Sequence, residues 1–491
     1  AAADASPLLG LAAAAVLGGA AVCAWEARSA GVPAADLQRL RRLLRQGVLL
    51  HPQGGGGTAN FTDFASAIAL CCGLAPERLV REAEAQALAK EMGGEARQHI
   101  VVVLCDGMGN NVLEKHLEPD SFLLQHNNPE RLRAVFPATT PAALTTLATG
   151  AWPGQHGQPG WDLRDQKGCE YPTKAAPGPV QLRILHSKVM DMRSNTPAKD
   201  FGFTEKDVFV AGPWTATGTS KRRMHFVNAY NTTDFTNWYQ GPHSGGISTI
   251  PETAMETLGM PEGSAGALSF FRQGVDAVLA GVAEAEREGR QSYTYLYTAH
   301  PDKHMHALGV EHSEVHHVVC GIDTEVARLW RGLEGRDASM VVVADHGHIT
   351  VAPEHMVSLP DEVTECLEYA NVGVLGKGRH AVLHVRSGRQ KDFEERWARH
   401  PRLRESFLLL RVEDAIAEGL FGPDNMKPEV RPRLGDYMAV SVGVDTLISP
   451  DEAKCHRDCC EAKCKGAHGS LLKEELSIPF VLCTPKTSAK R

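Results

Sequence analysis

Residues 99–107 read His-Ile-Val-Val-Val-Leu-Cys-Asp-Gly, and this stretch decides the fold class. Its apolar run is continuous and does not alternate with polar residues, which is typical of a strand buried on both faces. Such strands occur in parallel sheets that helices cover on both sides. Because Asp106-Gly107 follows directly, the chain is expected to turn sharply where the strand ends. The stretch therefore predicts an α/β domain.

Similar short apolar runs recur along the chain, and amphipathic helical stretches at 267–288 and 315–333 lie between them. This alternation predicts an α/β sandwich with a mainly parallel central sheet, in one catalytic domain from about residue 99 to 485. Residues 164–257 are polar and weakly periodic, which predicts a cap inserted over the carboxyl edge of the sheet. The predicted further strands are at residues 208–211, 293–297, 340–344, 381–385, 437–442 and 479–482.

The first 98 residues differ in composition from the rest. Residues 1–30 include an uncharged apolar stretch, 8–25, which suits a secretory signal, a weak membrane anchor, a transit peptide or a small-residue helix without targeting value. Residues 31–98, with a basic helical stretch and four consecutive glycines from Gly54, are interpreted as an appendage with a flexible linker. We expect a secreted or membrane-associated protein, and sequons at Asn60 and Asn231 suit secretion.

The composition excludes some classes of function. The chain has 491 residues and a formal net charge of −8, which argues against binding a nucleic-acid polymer because that requires a basic face. An anionic substrate would need local positive charge, such as metal ions. Twelve cysteines in so long a chain do not form a small disulfide scaffold. The cluster from Cys455 to Cys464 is interpreted as a cysteine-rich surface loop, with a separate zinc site as the alternative.

Metal-capable side chains follow several of these predicted strands. Functional groups in open α/β sheets collect beyond the carboxyl ends of strands, so these residues are expected to lie together. The spacing of four residues between Asp302 and His306 places both side chains on one face of a helical turn. Aspartate with histidine suits zinc, and a set of this size suits two ions about 4 Å apart, although each motif alone is also typical of a simple turn. The residues are Asp106, Asp345, His346, His468, and the pair Asp302 and His306.

Thr140 is the candidate nucleophile. Pro141 suits the first position of a helix, which makes Thr140 the expected N-cap. A hydroxyl there faces free backbone N–H groups and the positive end of the helix dipole, where a phosphate is favoured. A bound metal would make so weak a nucleophile usable. The alternatives are that Thr140 only caps the helix, or that Thr139 is the nucleophile.

The ordered motifs resemble the type I phosphodiesterase/nucleotide pyrophosphatase family of the alkaline phosphatase superfamily. The resemblance implies an alkaline-phosphatase-like three-layer sandwich with a cap. It also implies a hydrolase that opens phosphodiester or pyrophosphate bonds of nucleotide-type substrates through a phosphothreonine intermediate. One zinc ion would activate the threonine and the other the hydrolytic water. The implied zinc ligands are Asp106, Thr140, Asp345 and His346 for the first ion, and Asp302, His306 and His468 for the second.

The sequence departs from the family pattern at one position near the nucleophile. The family's phosphate-contacting asparagine, three residues after the threonine, is Ala143 here. The expected replacements are the N–H groups of Thr140 or Ala142, or a side chain of the cap. The sulfatase motif is absent, and no arginine adjoins Thr140, which favours diesters over dianionic monoesters.

Several other functions stay open. A phosphomonoesterase or a phosphonate hydrolase would use the same scaffold, and a phosphotransferase would share the first step. A non-catalytic nucleotide-binding relative would keep the fold without the reaction. In all these cases the expected partner is a small phosphate ester.

Overall fold

The computed structural model describes residues 31–74, 82–160, 162–164, 181–185, 188–191, 200, 205–229, 247–249, 263–368, 374–375, 378–423, 425–448 and 465–485. The helices are α1 (Val32–Arg45), α2 (Phe61–Cys71), α3 (Glu82–Glu91), α4 (Asn110–His116), α5 (Phe122–His126), α6 (Thr140–Thr149), α7 (Pro153–His156), α8 (Glu205–Val208), α9 (Gly263–Arg287), α10 (Asp302–Leu308), α11 (Ser313–Leu333), α12 (Asp361–Thr364), α13 (Gln390–Ala398), α14 (Pro401–Ser406), α15 (Val412–Ala417) and α16 (Lys473–Leu476). The strands are β1 (Ala59–Asn60), β2 (His99–Cys105), β3 (Leu132–Arg133), β4 (Asp162–Arg164), β5 (Gln181–Leu185), β6 (Lys188–Asp191), β7 (Arg223–Asn228), β8 (Ile247–Thr249), β9 (Ser292–Thr298), β10 (Ala338–Val343), β11 (Ile349–Thr350), β12 (Met356–Ser358), β13 (Val374–Leu375), β14 (His380–Leu383), β15 (Phe407–Arg411), β16 (Tyr437–Ser441), β17 (Thr446–Ile448), β18 (Gly466–Ala467), β19 (Ser477–Ile478) and β20 (Phe480–Cys483).

The central sheet has six strands in the order β20-β10-β2-β9-β7-β8. Neighbouring strands of this sheet pair in parallel, from β10 through β2, β9 and β7 to β8. The edge strand β20 pairs antiparallel with β10. Every residue of β2, β9 and β10 is buried. Since successive side chains of a strand point to opposite faces, layers of the protein cover both sides of these strands. The predicted α/β fold with a mainly parallel sheet is confirmed.

The segment predicted as an N-terminal appendage shares the main hydrophobic core in the structure. Leu40, Phe61 and Phe64 are fully buried in that core. The buried guanidinium of Arg222 also donates hydrogen bonds to the carbonyls of Cys71 and Gln98, at 2.7 and 3.0 Å. Apolar helix faces need a partner to bury them, and here the central domain provides it. The domain bounds as a whole stay a prediction.

Asn60, part of one sequon, is fully buried and caps α2 with its side chain. Its side-chain oxygen accepts hydrogen bonds from the backbone N–H groups of Thr62 and Asp63. In the folded chain it is therefore not accessible to a glycosylating enzyme. Residues 1–30, Asn231 and the cysteine cluster lie outside the described residues. Within the described part, no helix is both long and apolar enough to span a membrane.

A second, antiparallel sheet has the order β13-β14-β16-β15 and a hydrophobic core of its own. The predicted strands at 381–385 and 437–442 belong to this sheet, which we call the small sheet, and not to the central one. An apolar run predicts burial, but it does not specify the partner strand. The predicted strand at 208–211 is wrong, because α8 ends at Val208 and an irregular segment follows.

Part of the range predicted as a cap lies in the central sheet. Strands β7 and β8, at 223–228 and 247–249, pair in parallel beside β9. Strands β4, β5 and β6 form a separate antiparallel sheet. The range therefore contributes two central strands in addition to any inserted structure.

Candidate active site

Three neighbouring parallel strands bring the acidic residues together. Asp106 follows β2, Asp345 follows β10 after one residue, and Asp302 begins α10 shortly after β9. Because β10, β2 and β9 are adjacent and parallel, their carboxyl ends meet at one edge of the sheet. The N–H of Asp302 donates to the carbonyl of Asp106 at 3.0 Å, which joins two of these loops directly.

Gly107 makes the close approach of these loops feasible. Its φ of +71° lies in the left-handed region, and a Cβ added there would lie 2.8 Å from the Cβ of Asp302. Its N–H donates to Oδ1 of Asp345 at 3.0 Å. A larger residue would strain the turn and separate the aspartates.

The threonine cluster consists of Asp106, Thr140, Asp345 and His346, and all four side chains are at least nine-tenths buried. Thr140 Oγ1 lies 3.2 Å from Nε2 of His346 and 3.4 Å from Oδ1 of Asp106. The same Nε2 lies 3.4 Å from Oδ1 of Asp106 and 3.4 Å from Oδ2 of Asp345. The hydroxyl therefore lies among the same potential ligand atoms as the two carboxylates and the imidazole.

The histidine cluster consists of Asp302, His306, His348 and His468. Asp302 and His306 lie on one turn of α10, with 3.4 Å between Oδ2 and Nε2. The Nε2 atoms of His306 and His468 are 3.2 Å apart. The ring of His468 also stacks on that of His346 with 3.6 Å between centroids, so the two clusters adjoin.

Backbone carbonyls fix the orientation of the predicted ligand histidines. Nδ1 of His306, His346 and His468 lies 2.7–2.9 Å from the carbonyls of Gly466, Gly347 and Ala138. A carbonyl only accepts, so Nδ1 is the donating nitrogen in each ring and Nε2 is the nitrogen that could bind a metal. Each of these Nε2 atoms points into the site, which is the arrangement of metal-binding histidines.

The electrostatics of the two clusters differ. Burial, together with the negative charges of Asp345 and Asp302, raises the pKa of Asp106 well above its ordinary value. Burial likewise raises the pKa of Asp345 to about 7. Burial acts in the same direction on Asp302, but His306, His348 and His468 outweigh it and hold the pKa of Asp302 well below the usual range. A cation would relieve the repulsion among the carboxylates.

The residues fit tetrahedral metal ions. Ligands bound at about 2.0–2.1 Å in a tetrahedron lie roughly 3.3 Å from one another. The separations between neighbouring ligand atoms are 3.2–3.4 Å within the threonine cluster and 3.2–3.7 Å within the histidine cluster. Oδ2 of Asp345 is also buried and accepts no hydrogen bond from the described residues. Such an atom is costly to bury unless a cation binds it.

Comparison with known proteins identifies the family of this chain. The model of the family "Type I phosphodiesterase / nucleotide pyrophosphatase" matches residues 100–471. The chain belongs to this family. Its members are hydrolases of phosphorus esters and are metal-dependent. A search of curated proteins found no match.

Two solved structures have the same fold as this chain. Phosphonoacetate hydrolase from Sinorhizobium meliloti 1021, in complex with phosphonoformate, has a TM-score of 0.54 at 18% identity over 80% of this chain and 92% of that one. Murine ectonucleotide pyrophosphatase/phosphodiesterase 5, inactive and in complex with AMP, has a TM-score of 0.51 at 14% identity over 79% of this chain and 88% of that one. The fold is therefore alkaline-phosphatase-like, as predicted.

The helix that carries Thr140 begins one residue earlier than predicted. Thr140 is the first residue of α6 and Thr139 is its N-cap, although no side chain caps the helix. Since Pro141 tolerates either of the first two positions, it does not determine the boundary. The first N–H that bonds back within the turn belongs to Ala143, which donates to the carbonyl of Thr139 at 3.0 Å.

Sequence reasoning missed two residues of the site. Tyr297, at the end of β9, donates its hydroxyl to Oδ2 of Asp106 at 2.6 Å. His348, two residues after His346, belongs to the histidine cluster. The motif Asp-His-Gly-His contained a signal for His348, because residues two apart in extended chain point the same way. No sequence signal pointed to Tyr297, because it lies within an apolar strand.

Proposed function

We propose that this protein is a zinc-dependent phosphoesterase that cleaves phosphodiester or pyrophosphate bonds of nucleotide-type substrates, with Thr140 as the nucleophile. One observation carries the proposal. The hydroxyl of Thr140 lies within 3.4 Å of both Asp106 and His346, inside a buried group of ligand atoms. A hydroxyl that only capped a helix would have no reason to approach a carboxylate and an imidazole that suit a metal.

Two ions would be held by the two clusters. Asp106, Thr140, Asp345 and His346 would bind the first, and Asp302, His306 and His468 the second. When bound, zinc would lower the pKa of the threonine hydroxyl and of water, and would stabilise charge on the attacking and leaving oxygens. The adjoining clusters are consistent with two ions that act on one phosphoryl group.

The reaction would proceed in two displacements at phosphorus. In the first, Oγ1 of Thr140 gives up its proton and forms a bond to phosphorus while the bond to the leaving oxygen breaks, which releases the leaving group and gives phosphothreonine. In the second, water attacks phosphorus, the bond to Oγ1 breaks, and the threonine regains a proton.

The N–H groups of Thr140 and Ala142 lie in the first turn of α6, before the helical bonding pattern begins. The buried side chain of Ala143 offers no polar group at the position of the family's asparagine. These two N–H groups would therefore hold the phosphoryl oxygens that the asparagine holds in other members of the family. The positive end of the helix dipole favours negative charge at the same place.

The central experiment replaces Thr140 by alanine. We expect Thr140→Ala to abolish hydrolysis of bis-p-nitrophenyl phosphate while the protein retains most of its zinc, measured by elemental analysis. Thr139→Ala is the matched control, since it removes a neighbouring buried hydroxyl and should retain activity. Full activity of Thr140→Ala would overturn the assignment of the nucleophile.

Substrate choice separates the alternatives. A panel of diesters, nucleoside pyrophosphates, mono-p-nitrophenyl phosphate and phosphonates should show the highest kcat/KM for diesters or pyrophosphates. Preference for the monoester or for phosphonates would replace the proposal by a phosphomonoesterase or phosphonate hydrolase. Zinc binding without turnover of any substrate would indicate a non-catalytic relative.

A further inference from the structure

His348 lies directly opposite His468 on two paired segments. Strand β11 pairs antiparallel with β18, with Ile349 opposite Ala467 and Thr350 opposite Gly466. One step further along the same register places His348 opposite His468. Side chains of directly opposed residues lie on the same face of a pair of strands, so both imidazoles reach the same side.

The side chain of His348 is fully buried within the histidine cluster. Its Nε2 lies 3.3 Å from Oδ1 of Asp302, and its ring centroid lies 4.6 Å from that of His306. The separation from Asp302 matches the tetrahedral edge of roughly 3.3 Å expected for zinc ligands. Within the described residues, this Nε2 has no hydrogen-bonding partner.

The two ring nitrogens of His348 face different groups, Nδ1 a backbone carbonyl and Nε2 the carboxylate of Asp302. Its Nδ1 lies 3.2 Å from the carbonyl of Ile349, which can only accept. When Nδ1 donates to this carbonyl, Nε2 keeps its electron pair. The free electron pair of Nε2 then faces a carboxylate oxygen. Two such atoms repel each other unless a cation lies between them.

Gly466 makes room for this ring. A Cβ at Gly466 would lie 2.6 Å from Cε1 of His348. The carbonyl of the same residue accepts from Nδ1 of His306 at 2.8 Å. One glycine therefore positions one histidine of the cluster and admits the other.

We propose that His348 is a direct ligand of the second metal ion, in addition to Asp302, His306 and His468. The inference rests on the proposed function only in that it requires a metal at this cluster. Four protein ligands complete a tetrahedron, so a substrate or water oxygen would have to enter as a fifth ligand. With three imidazoles and a carboxylate, this position should bind zinc more tightly than the threonine cluster does.

The test measures metal binding and not only activity. In zinc titrations against a competing chelator, His348→Ala should lose affinity for one of its two ions by at least about 10–100-fold, the loss typical even of a group that only orients a ligand. X-ray absorption of the zinc-loaded protein should show fewer imidazole ligands than in the wild type. His116→Ala is the matched control, because it removes a buried histidine that contacts Val310 and no metal cluster.

A cysteine substitution distinguishes a ligand from a structural residue. In cobalt-loaded His348→Cys we expect a new thiolate-to-cobalt absorption band in the near ultraviolet that the wild type lacks. Unchanged affinity in His348→Ala, or no new band in His348→Cys with cobalt bound, would overturn the role of His348 and leave the proposed function intact. Failure of the wild type to bind any zinc would instead refute the metal chemistry as a whole.

Discussion

At the scale of single residues, the site depends on groups that hold the functional side chains in one orientation. Backbone carbonyls hold the histidines, and the N–H groups of Gly107 and His346 bind Oδ1 of Asp345 at 3.0 and 3.1 Å. The hydroxyl of the buried Tyr297 donates a hydrogen bond to Oδ2 of Asp106 and so orients that carboxylate. Such groups orient ligands before a metal arrives, so their loss should weaken binding without unfolding the chain.

Tyr297→Phe tests this positioning. The variant keeps the ring but leaves Oδ2 of Asp106 without the phenol donor, so we expect zinc affinity or kcat/KM to fall by about 10–100-fold. Zinc titration and diester hydrolysis measure both quantities. Tyr293→Phe removes a hydroxyl from the opposite end of the same strand and should change neither. An unchanged Tyr297→Phe would show that the hydrogen bond does not orient the carboxylate.

At the scale of elements, α1 is fastened to the small sheet by a buried carboxyl group. Oδ2 of Asp36 accepts a hydrogen bond from the N–H of Leu409 in β15 at 2.9 Å. Asp36 is 7% exposed, and burial raises its pKa from 3.8 to about 6, although the Leu409 N–H, Arg39 and Arg404 act in the opposite direction. Helix α1 is therefore held by a carboxyl group that binds its proton more tightly in the folded chain than it would in water.

The stability of this contact should depend on pH. The pKa of Asp36 is higher in the folded chain than in the unfolded chain, so the bound proton stabilises the fold. This stabilisation is complete below about pH 4 and is lost as the pH rises through about 6. An asparagine side chain in place of Asp36 would stay neutral at every pH and would still accept the hydrogen bond through its amide oxygen.

We therefore expect Asp36→Asn to increase the free energy of unfolding by up to about 3 kcal/mol above pH 6.5, with little gain at pH 4. Urea unfolding at both pH values measures the difference. The exposed Asp120→Asn is the control. An equal gain of Asp36→Asn at both pH values would contradict the raised pKa.

At the scale of the whole molecule, one buried ion pair joins the small sheet to the catalytic core. Arg379, just before β14, donates to Oε1 of Glu475 at 2.6 and 3.0 Å, and both residues are fully buried. Glu475 also accepts from the N–H of Ser470 at 2.7 Å, two residues after His468. Burial would raise the pKa of Glu475, but the charge of Arg379 and these hydrogen bonds lower it.

Breaking this pair should destabilise the protein strongly. Glu475→Gln leaves the guanidinium of Arg379 buried without its counter-charge, so we expect a loss of about 3–5 kcal/mol in the free energy of unfolding. Zinc affinity should also fall, because the segment around His468 loses its support. Denaturant unfolding and zinc titration measure the two effects.

Glu395→Gln is the control, since its pair with Lys391 is exposed and is worth about 0–1 kcal/mol. A cost of Glu475→Gln no larger than that of the control would show that the small sheet is held by other contacts.

The sequence by itself determined the fold class and predicted most of the residues of the candidate site. Apolar runs of strand length specify buried strands, and Asp106, Asp302 and Asp345 follow three of them. This information is local, since periodicity and the residue after a strand are properties of a few consecutive positions.

Tertiary structure alone decided which distant segments meet. It placed the runs at 381–385 and 437–442 in the small sheet, joined residues 31–98 to the main core, and brought Tyr297 to Asp106. It also set His348 opposite His468 through the pairing of β11 with β18. Each of these contacts depends on strand pairing or burial between segments far apart in the chain, and an apolar run or a single histidine has the same local pattern whichever partner it finds.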